Sequence, residues 1–282
     1  MLIKFLLSKA FKNNLYVNLI CKLEVLANKS LFHSLSTKDL EDLIFQLIPK
    51  FIPSEHLIRK GNPFDGGYVI CNKIKAEGTY LLSLGVGNNI TFETELNREM
   101  IHTFLVDHSI QALPISLPNS TFISKKVSTN TGSNNINLQQ CLEIIPKNID
   151  TILKIDIEGS EWDSLANLDA TEFSRFTQIV GEFHGFHEIY KHETYIKILN
   201  TLKKINQTHV IINFHPNNWS DFKIINGIPF PDVIELSFIR YDLFNSLTVQ
   251  TECSVKYHEF NQLNLPNNPN SPEYKLCFFS QN

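Results

Sequence analysis

Short apolar, largely β-branched runs recur along the chain, with polar or helix-like spacers between them. They fall at Tyr80 to Leu84, Thr103 to Val106, Ser120 to Ile123, Ile152 to Ile155, Gln178 to Phe183, Val210 to Phe214 and Val233 to Ile239. Runs of this kind suit strands buried on both faces of a sheet. Their alternation with helical spacers predicts an α/β fold: a mostly parallel sheet with helices on both sides. Ahead of the first run, the chain to about Pro53 reads as helical, and Ser36-Thr37-Lys38-Asp39 supplies a helix start before a Leu/Ile-rich segment. Asp65-Gly66-Gly67 marks a turn before a short strand. The Asn- and Pro-rich stretch from Asn261 to Pro272 reads as a loop, and Leu276 to Ser280 as an edge strand. The expected organisation is a helical extension over 1–55, a main domain over 56–245 and a loop-rich tail over 246–282.

Composition narrows the function classes. A net charge of −4 without a long basic run gives little support to a nucleic-acid partner bound through its phosphates. Cys21, Cys71, Cys141, Cys253 and Cys277 are scattered and form no CxxC pair, which points to a reducing, cytoplasmic setting. The first 26 residues are apolar but interrupted by Lys4, Lys9, Lys12 and Lys22, too often for a spanning helix. They read as an amphipathic helix that either packs on the domain or makes peripheral contact with the inner face of a membrane.

The segment Thr151 to Leu165, TILKIDIEGSEWDSL, carries the densest chemistry. An apolar strand ends on four carboxylates, Asp156, Glu158, Glu161 and Asp163, where it hands over to a helix. Ends of parallel strands are where open α/β sheets bind ligands. A second such end is SLGVGNNITFE, in which Gly85 and Gly87 follow a strand and Ile90 stands where a dinucleotide fold has its third glycine. Without that glycine and a helix start after it, a pyrophosphate is poorly cradled, which opposes a nicotinamide oxidoreductase. About 20 residues on, Asp107 ends another strand at the spacing of a ribose-binding acid. The pattern fits an adenosine ligand lacking a pyrophosphate, S-adenosylmethionine being the common one. A plain tight turn at Gly85 and Gly87 and an N-cap role for Asp107 are the structural alternatives.

Together, DGGYV at Asp65 to Val69, SLGVGNNITFE, KIDIEGSEW at Lys154 to Trp162 and GEFHG at Gly181 to Gly185 resemble the FkbM-type S-adenosylmethionine-dependent methyltransferases. The similarity runs from about Arg59 to about Arg240. It implies a class I methyltransferase, Rossmann-like, with a seven-stranded sheet of order 3-2-1-4-5-7-6 whose last inserted strand is antiparallel, supplied by Ile228 to Arg240 with Pro229 and Pro231 at its entry. It also implies O-methylation of a small-molecule, glycan or natural-product acceptor. By the same resemblance Gly85, Gly87 and Asn88 form the cofactor turn, Asp107 meets the ribose, Asp156 lies beside the methionine end, Glu158 and Gly159 shape the adjoining loop, and Asp65 and Arg59 close over the cofactor.

Methyl transfer to a hydroxyl needs a proton acceptor, either a neutral histidine or a carboxylate of raised pKa, or a divalent metal that acidifies the hydroxyl. The strand-end candidates are Glu182, His184 and His215, with Asp156 beside the methyl group. A hard-cation site would draw on Asp156, Glu182 and His184. His184 and His187 do not suit a zinc pair, for want of further ligands. Glu161 and Asp163 read as charges at a helix N-terminus, Trp162 as packing, and Asn217 and Asn218 as acceptor ligands or turn formers. A non-catalytic nucleotide-binding or interaction module on the same fold is the alternative function.

Overall fold

The computed structural model describes residues 35–74, 78–100, 102–130, 132–226, 228–247 and 262–274. The first helix, α1 (Thr37–Leu47), begins where its sequence dictates. The Ser36 hydroxyl accepts from the Asp39 amide and the Asp39 carboxylate accepts from the Ser36 amide, a reciprocal cap. Its apolar stripe, Leu40, Leu43 and Leu47, is buried in the main core. The first 26 residues, three of the five cysteines and the stretch Leu276 to Ser280 lie outside the described residues; Cys71 and Cys141 are buried free thiols.

All seven apolar runs become strands of one sheet: β3 (Thr79–Leu84), β4 (His102–Val106), β5 (Ser120–Ile123), β8 (Asp150–Ile155), β9 (Phe176–Phe183), β10 (His209–Pro216) and β13 (Ile234–Arg240). Their order is β10-β13-β9-β8-β3-β4-β5, while β6 (Lys126–Val127) and β7 (Asn135–Ile136) pair apart from it and a short α5 (Ala170–Phe173) precedes β9. β13 is antiparallel to both neighbours, while the pairs β3–β4, β3–β8, β4–β5 and β8–β9 are parallel. This is the order and inserted antiparallel strand of a class I methyltransferase.

Strand alternation sorts the side chains onto two faces. Leu82, Leu84, Leu153, Ile155 and Ile179 pack on one face with α1, α3 (Leu138–Ile144), α4 (Glu161–Ala166) and α6 (His192–Ile205). Leu81, Ile152 and Val180 meet Tyr68 and Ile70 of an antiparallel hairpin, β1 (Leu57–Gly61) and β2 (Gly67–Cys71), together with Phe92 and Leu96 of α2 (Thr91–Asn97). Lys154 and, just beyond the strand, Asp156 continue this second alternation, which sends them toward Tyr68.

Two expectations need correction. A helix does follow the glycine turn: α2 starts at Thr91, and Ile90, in place of a third glycine, is buried with Val86 and Leu105. Pro229 and Pro231 do not enter the last strand. They sit in β12 (Ile228–Pro231), which pairs only with β11 (Phe222–Ile225), and β13 begins afresh at Ile234. With no donor nitrogen, proline is tolerated in a two-stranded ribbon or at the end of an edge strand, as Pro216 is in β10, and not inside a strand paired on both sides such as β13.

Candidate active site

Gly85 is fixed by its surroundings. Its φ is +76°, and a Cβ there would stand 1.6 Å from the Asp156 carbonyl oxygen, so the ends of β3 and β8 can touch only through a glycine. Gly87, at φ +56°, faces open space. Asp107, just after β4, holds this turn: Oδ2 accepts from the amides of Val86 (2.7 Å) and Gly87 (2.8 Å), and Oδ1 from the amide and hydroxyl of Ser109 (2.5 and 2.6 Å). Burial alone would raise the pKa of this carboxyl, but the donations from Ser109, Gly87 and Val86 outweigh it and keep the group below the usual range. A carboxylate has about four acceptor positions, and all are filled. A ribose diol would therefore displace the Ser109 hydroxyl, the one donor of the four that can rotate away.

Two cavities open at this strand edge. One of about 260 Å³ is lined by Gly85, Gly87, Asp107, Asp156 and Glu158, and also by Ser109 and Lys126. The other, about 150 Å³, is lined by Asp65, Gly87, Asn88, Tyr68, Lys154 and Asp156. They share Val86, Gly87 and Asp156. All seven residues expected at the cofactor, Asp65, Gly85, Gly87, Asn88, Asp107, Asp156 and Glu158, thus line one cavity or the other. The cradle fits S-adenosylmethionine in kind: a glycine turn without side chains, an anchored acid at one end and a charged, polar end at the other. Arg59 does not reach it. Its guanidinium donates to the carbonyls of Asn62, Phe64 and Leu263, fastening the loop that carries Asp65.

Lys154 was overlooked in the sequence, although its i, i+2 relation to Asp156 puts both on one face. Its ammonium donates to the Gly85 carbonyl, lies 3.6 Å from Asp156 Oδ2 and sits over the Tyr68 ring, whose hydroxyl donates to the same Oδ2 at 3.3 Å. Burial would lower the lysine's pKa, but Asp156, Glu93 and Glu182 raise it above its ordinary value.

Beyond Asp156 lies an acidic half-site. Glu182, at the end of β9, is buried and accepts from Asn217 Nδ2 at 3.2 Å. Asp65, which lines the smaller cavity, acts on it electrostatically. Burial, then the charges of Asp156, Glu235 and Asp65, push the Glu182 carboxyl well above the carboxylate range, and burial with Asp156 raises Asp65. Carboxyls that raise one another in this way do not readily ionise together.

His215 and His184 stand differently from the neutral rings expected of them. His215, at the end of β10, is held between Glu235 (Nδ1 to Oε2, 2.9 Å) and Glu273 (Nε2 to Oε2, 3.2 Å). Burial would lower its pKa, but the two glutamates raise it to about 9. His184 Nδ1 lies 3.2 Å from Glu161 Oε1, outside hydrogen-bond geometry, and Nε2 lies 3.5 Å from Glu158. Burial is again outweighed, first by Glu161, and the ring rises to about 9. With these partners both rings favour a bound proton at neutral pH, and a ring that holds one is not a base. His187 is turned away, 2.5 Å from Asp232.

Glu161 stands in the first turn of α4, as expected, but away from solvent. It is fully buried, and its Oε1 accepts from the amides of Ile157 (2.9 Å) and Gly159 (3.1 Å). The left-handed turn at Glu158 (φ +55°) and Gly159 (φ +97°) directs those amides inward. Asp163, by contrast, is exposed and pairs with Lys197 at 2.7 Å. Among the described residues, Asp156, Glu161 and His184 bring potential ligand atoms within 4.8 Å of one another, a grouping that includes Glu161 and not the expected Glu182. Trp162 packs on Phe183 and Phe186, and its Nε1 donates to the His184 carbonyl. Asn217 and Asn218 are buried. Asn218 donates to the carbonyls of Asn268 and Ser271 and accepts from the Asn268 amide, stitching 262–274 over the ends of β10 and β13, where Asn267 donates to Glu235.

A sequence model described as "Methyltransferase FkbM domain" matches residues 62–218, more than half of the 282-residue chain. No curated protein matches the chain. Three solved structures share part of the fold. A fibrillarin/Nop5p complex aligns at 12% identity over 60% of this chain and 75% of its own, with TM-score 0.37. Spermidine synthase from Thermotoga maritima aligns at 11% identity over 68% and 63%, TM-score 0.35. Precorrin 8w decarboxylase from Methanobacterium thermoautotrophicum aligns at 14% identity over 67% and 99%, TM-score 0.34. This chain thus spans less than two thirds of the spermidine synthase. Likenesses this distant carry no argument; the fold rests on the strand order. No described helix is long and apolar enough to cross a membrane.

Proposed function

The chain belongs to the FkbM methyltransferase family and is an S-adenosylmethionine-dependent methyltransferase; from that premise we propose that it methylates a hydroxyl oxygen of a carbohydrate or natural-product acceptor. S-adenosylmethionine, when bound, supplies a methyl group on a cationic sulfur, which keeps the bonding electron pair as the acceptor oxygen takes the carbon. The chain's own residues divide the remaining work. Gly85, Gly87 and Asn88 leave room for the cofactor, Asp107 and Ser109 meet its ribose, and Asp65, Lys154 and Asp156 surround its charged end.

Asp156 lines both cavities and also acts electrostatically on Glu182 and Asp65, and this single placement carries the reading. It joins the cofactor cradle to a carboxyl pair poised to exchange protons. In the proposed reaction the acceptor hydroxyl gives its proton to the ionised member of the Asp65–Glu182 pair as the oxygen–methyl bond forms. Imidazolium His215 holds Glu235 and Glu273 in place, and Asn217, Asn267 and Glu235 offer the mixed donors and acceptors that several neighbouring hydroxyls require. Calorimetry with cofactor and demethylated product, followed by turnover on a glycan and polyol panel, tests the reading. Cofactor binding with methyl transfer to oxygen supports it; transfer to nitrogen or carbon in place of oxygen contradicts the acceptor assignment.

A further inference from the structure

We propose that Asp156, Glu161 and His184 form a binding site for one divalent first-row transition cation beside the acceptor. Three observations converge. The three side chains place ligand atoms within 4.8 Å of one another, from the end of β8, the start of α4 and the end of β9. Glu161 is fully buried, and while its Oε1 takes two loop amides, its Oε2 has no partner. His184 Nδ1 is likewise buried and unpartnered, although a carboxylate oxygen lies 3.2 Å away.

Orphaned buried acceptors are rare in folded proteins and costly to keep. A carboxylate oxygen and a ring nitrogen side by side hold either a proton or a cation between them, and a divalent cation that displaces the ring proton takes both lone pairs. A cation satisfies both atoms of such a set at once; an apolar ligand satisfies neither.

The surroundings support the assignment. The His184 backbone is held by the Trp162 indole donating to its carbonyl, and Glu161 is held by the amides of the 157–159 turn, so two of the three ligands are oriented by their neighbours. The contacts of Asp156 with Lys154 and Tyr68 both fall on Oδ2. One imidazole and two carboxylates favour Mn²⁺, Fe²⁺, Co²⁺ or Zn²⁺ over Ca²⁺, which takes oxygen ligands alone, or Mg²⁺, which prefers carboxylates and water. Three protein ligands leave coordination positions open, and there an acceptor hydroxyl would lose its proton more readily. That role rests on the methyltransferase reading above; the binding itself does not.

Mn²⁺ added to the full-length chain, followed by electron paramagnetic resonance, should report one bound ion per chain. Co²⁺ should give visible absorption bands that shift when the imidazole nitrogen is lost in His184→Ala. Glu161→Gln and His184→Ala should each weaken Mn²⁺ binding at least tenfold while circular dichroism stays native. If Glu161→Gln does not fold, His184→Ala decides alone. No Mn²⁺ binding up to millimolar concentration, or binding and Co²⁺ bands unchanged in His184→Ala, would overturn the proposal and leave an imidazolium–carboxylate contact. Cofactor calorimetry on the same samples separates the two ideas: cofactor binding without cation binding sinks only the cation site, and absent cofactor binding sinks the functional reading.

Discussion

The two halves of the strand edge are built on opposite terms. On the cofactor half, each acceptor position of Asp107 is filled by a nearby donor, and Gly85 fits its neighbour so closely that no side chain is tolerated. On the acceptor half, Asp65, Glu182 and Glu235 crowd together, and Glu161 Oε2, Asn267 Oδ1 and Glu273 Oε1 are buried without partners. The first half is preorganised, and the second holds lone pairs in excess. A site that must receive a proton, and an acceptor carrying its own hydroxyl donors, needs such an excess, at some expense in stability.

The largest expected effect breaks the first half. Gly85→Ala forces a β-carbon into the Asp156 carbonyl at a left-handed φ, and should cost about 3 kcal/mol or more in urea unfolding and abolish cofactor binding. A native midpoint would show that β3 and β8 can separate at no cost. Next, Glu182→Gln should lower kcat by roughly 10²-fold or more while cofactor affinity changes little, because it removes a proton site and keeps the shape. Equal losses in both quantities would mean that the halves are not separable.

Histidines at the two ends of β10 extend the contrast to pH. His209, buried and hydrogen-bonded to the Phe176 carbonyl, is lowered to about 4 by burial. The unfolded ring, near 6.5, binds the proton more readily, so stability is full above about pH 6.5 and falls as pH drops toward 4. His215 is raised to about 9, so its contribution is full below about pH 6.5 and is lost as pH climbs through 9. Each limb is of order 3 kcal/mol. Urea midpoints at pH 4.5, 6.5 and 9.5 should show both limbs, with His209→Gln flattening the acid side and His215→Gln the alkaline side. The smallest effect belongs to the exposed Asp163–Lys197 pair: Asp163→Ala should change stability by less than about 1 kcal/mol in the same assay.

How far the sequence could be read follows the same division. Every strand of the main sheet was visible as an apolar run, because strands covered on both faces need little beyond local composition. The cofactor half was visible for a related reason: glycine turn, acid and carboxylate-rich strand end each lie within a few residues of a strand. β1 was missed because all five of its residues are half-buried and carry no pattern. Spacing places Glu161 in the first turn of α4 but does not reveal its burial, which depends on the left-handed turn at Glu158. The partners of His215 come from β13 and from a segment 58 residues downstream, so the cationic state of that ring is a tertiary property. The same holds for the Asp65–Glu182 pair, which joins the hairpin loop to the end of β9.

The central claim is that one half of this edge binds the cofactor and the other manages the proton. Isothermal titration of S-adenosylmethionine into the wild type, Asp107→Asn and Glu182→Gln tests it most directly. The account predicts equal affinity for wild type and Glu182→Gln and a loss of at least tenfold for Asp107→Asn, all three melting cooperatively. Wild-type affinity in Asp107→Asn, or no binding by the folded wild type, would contradict it.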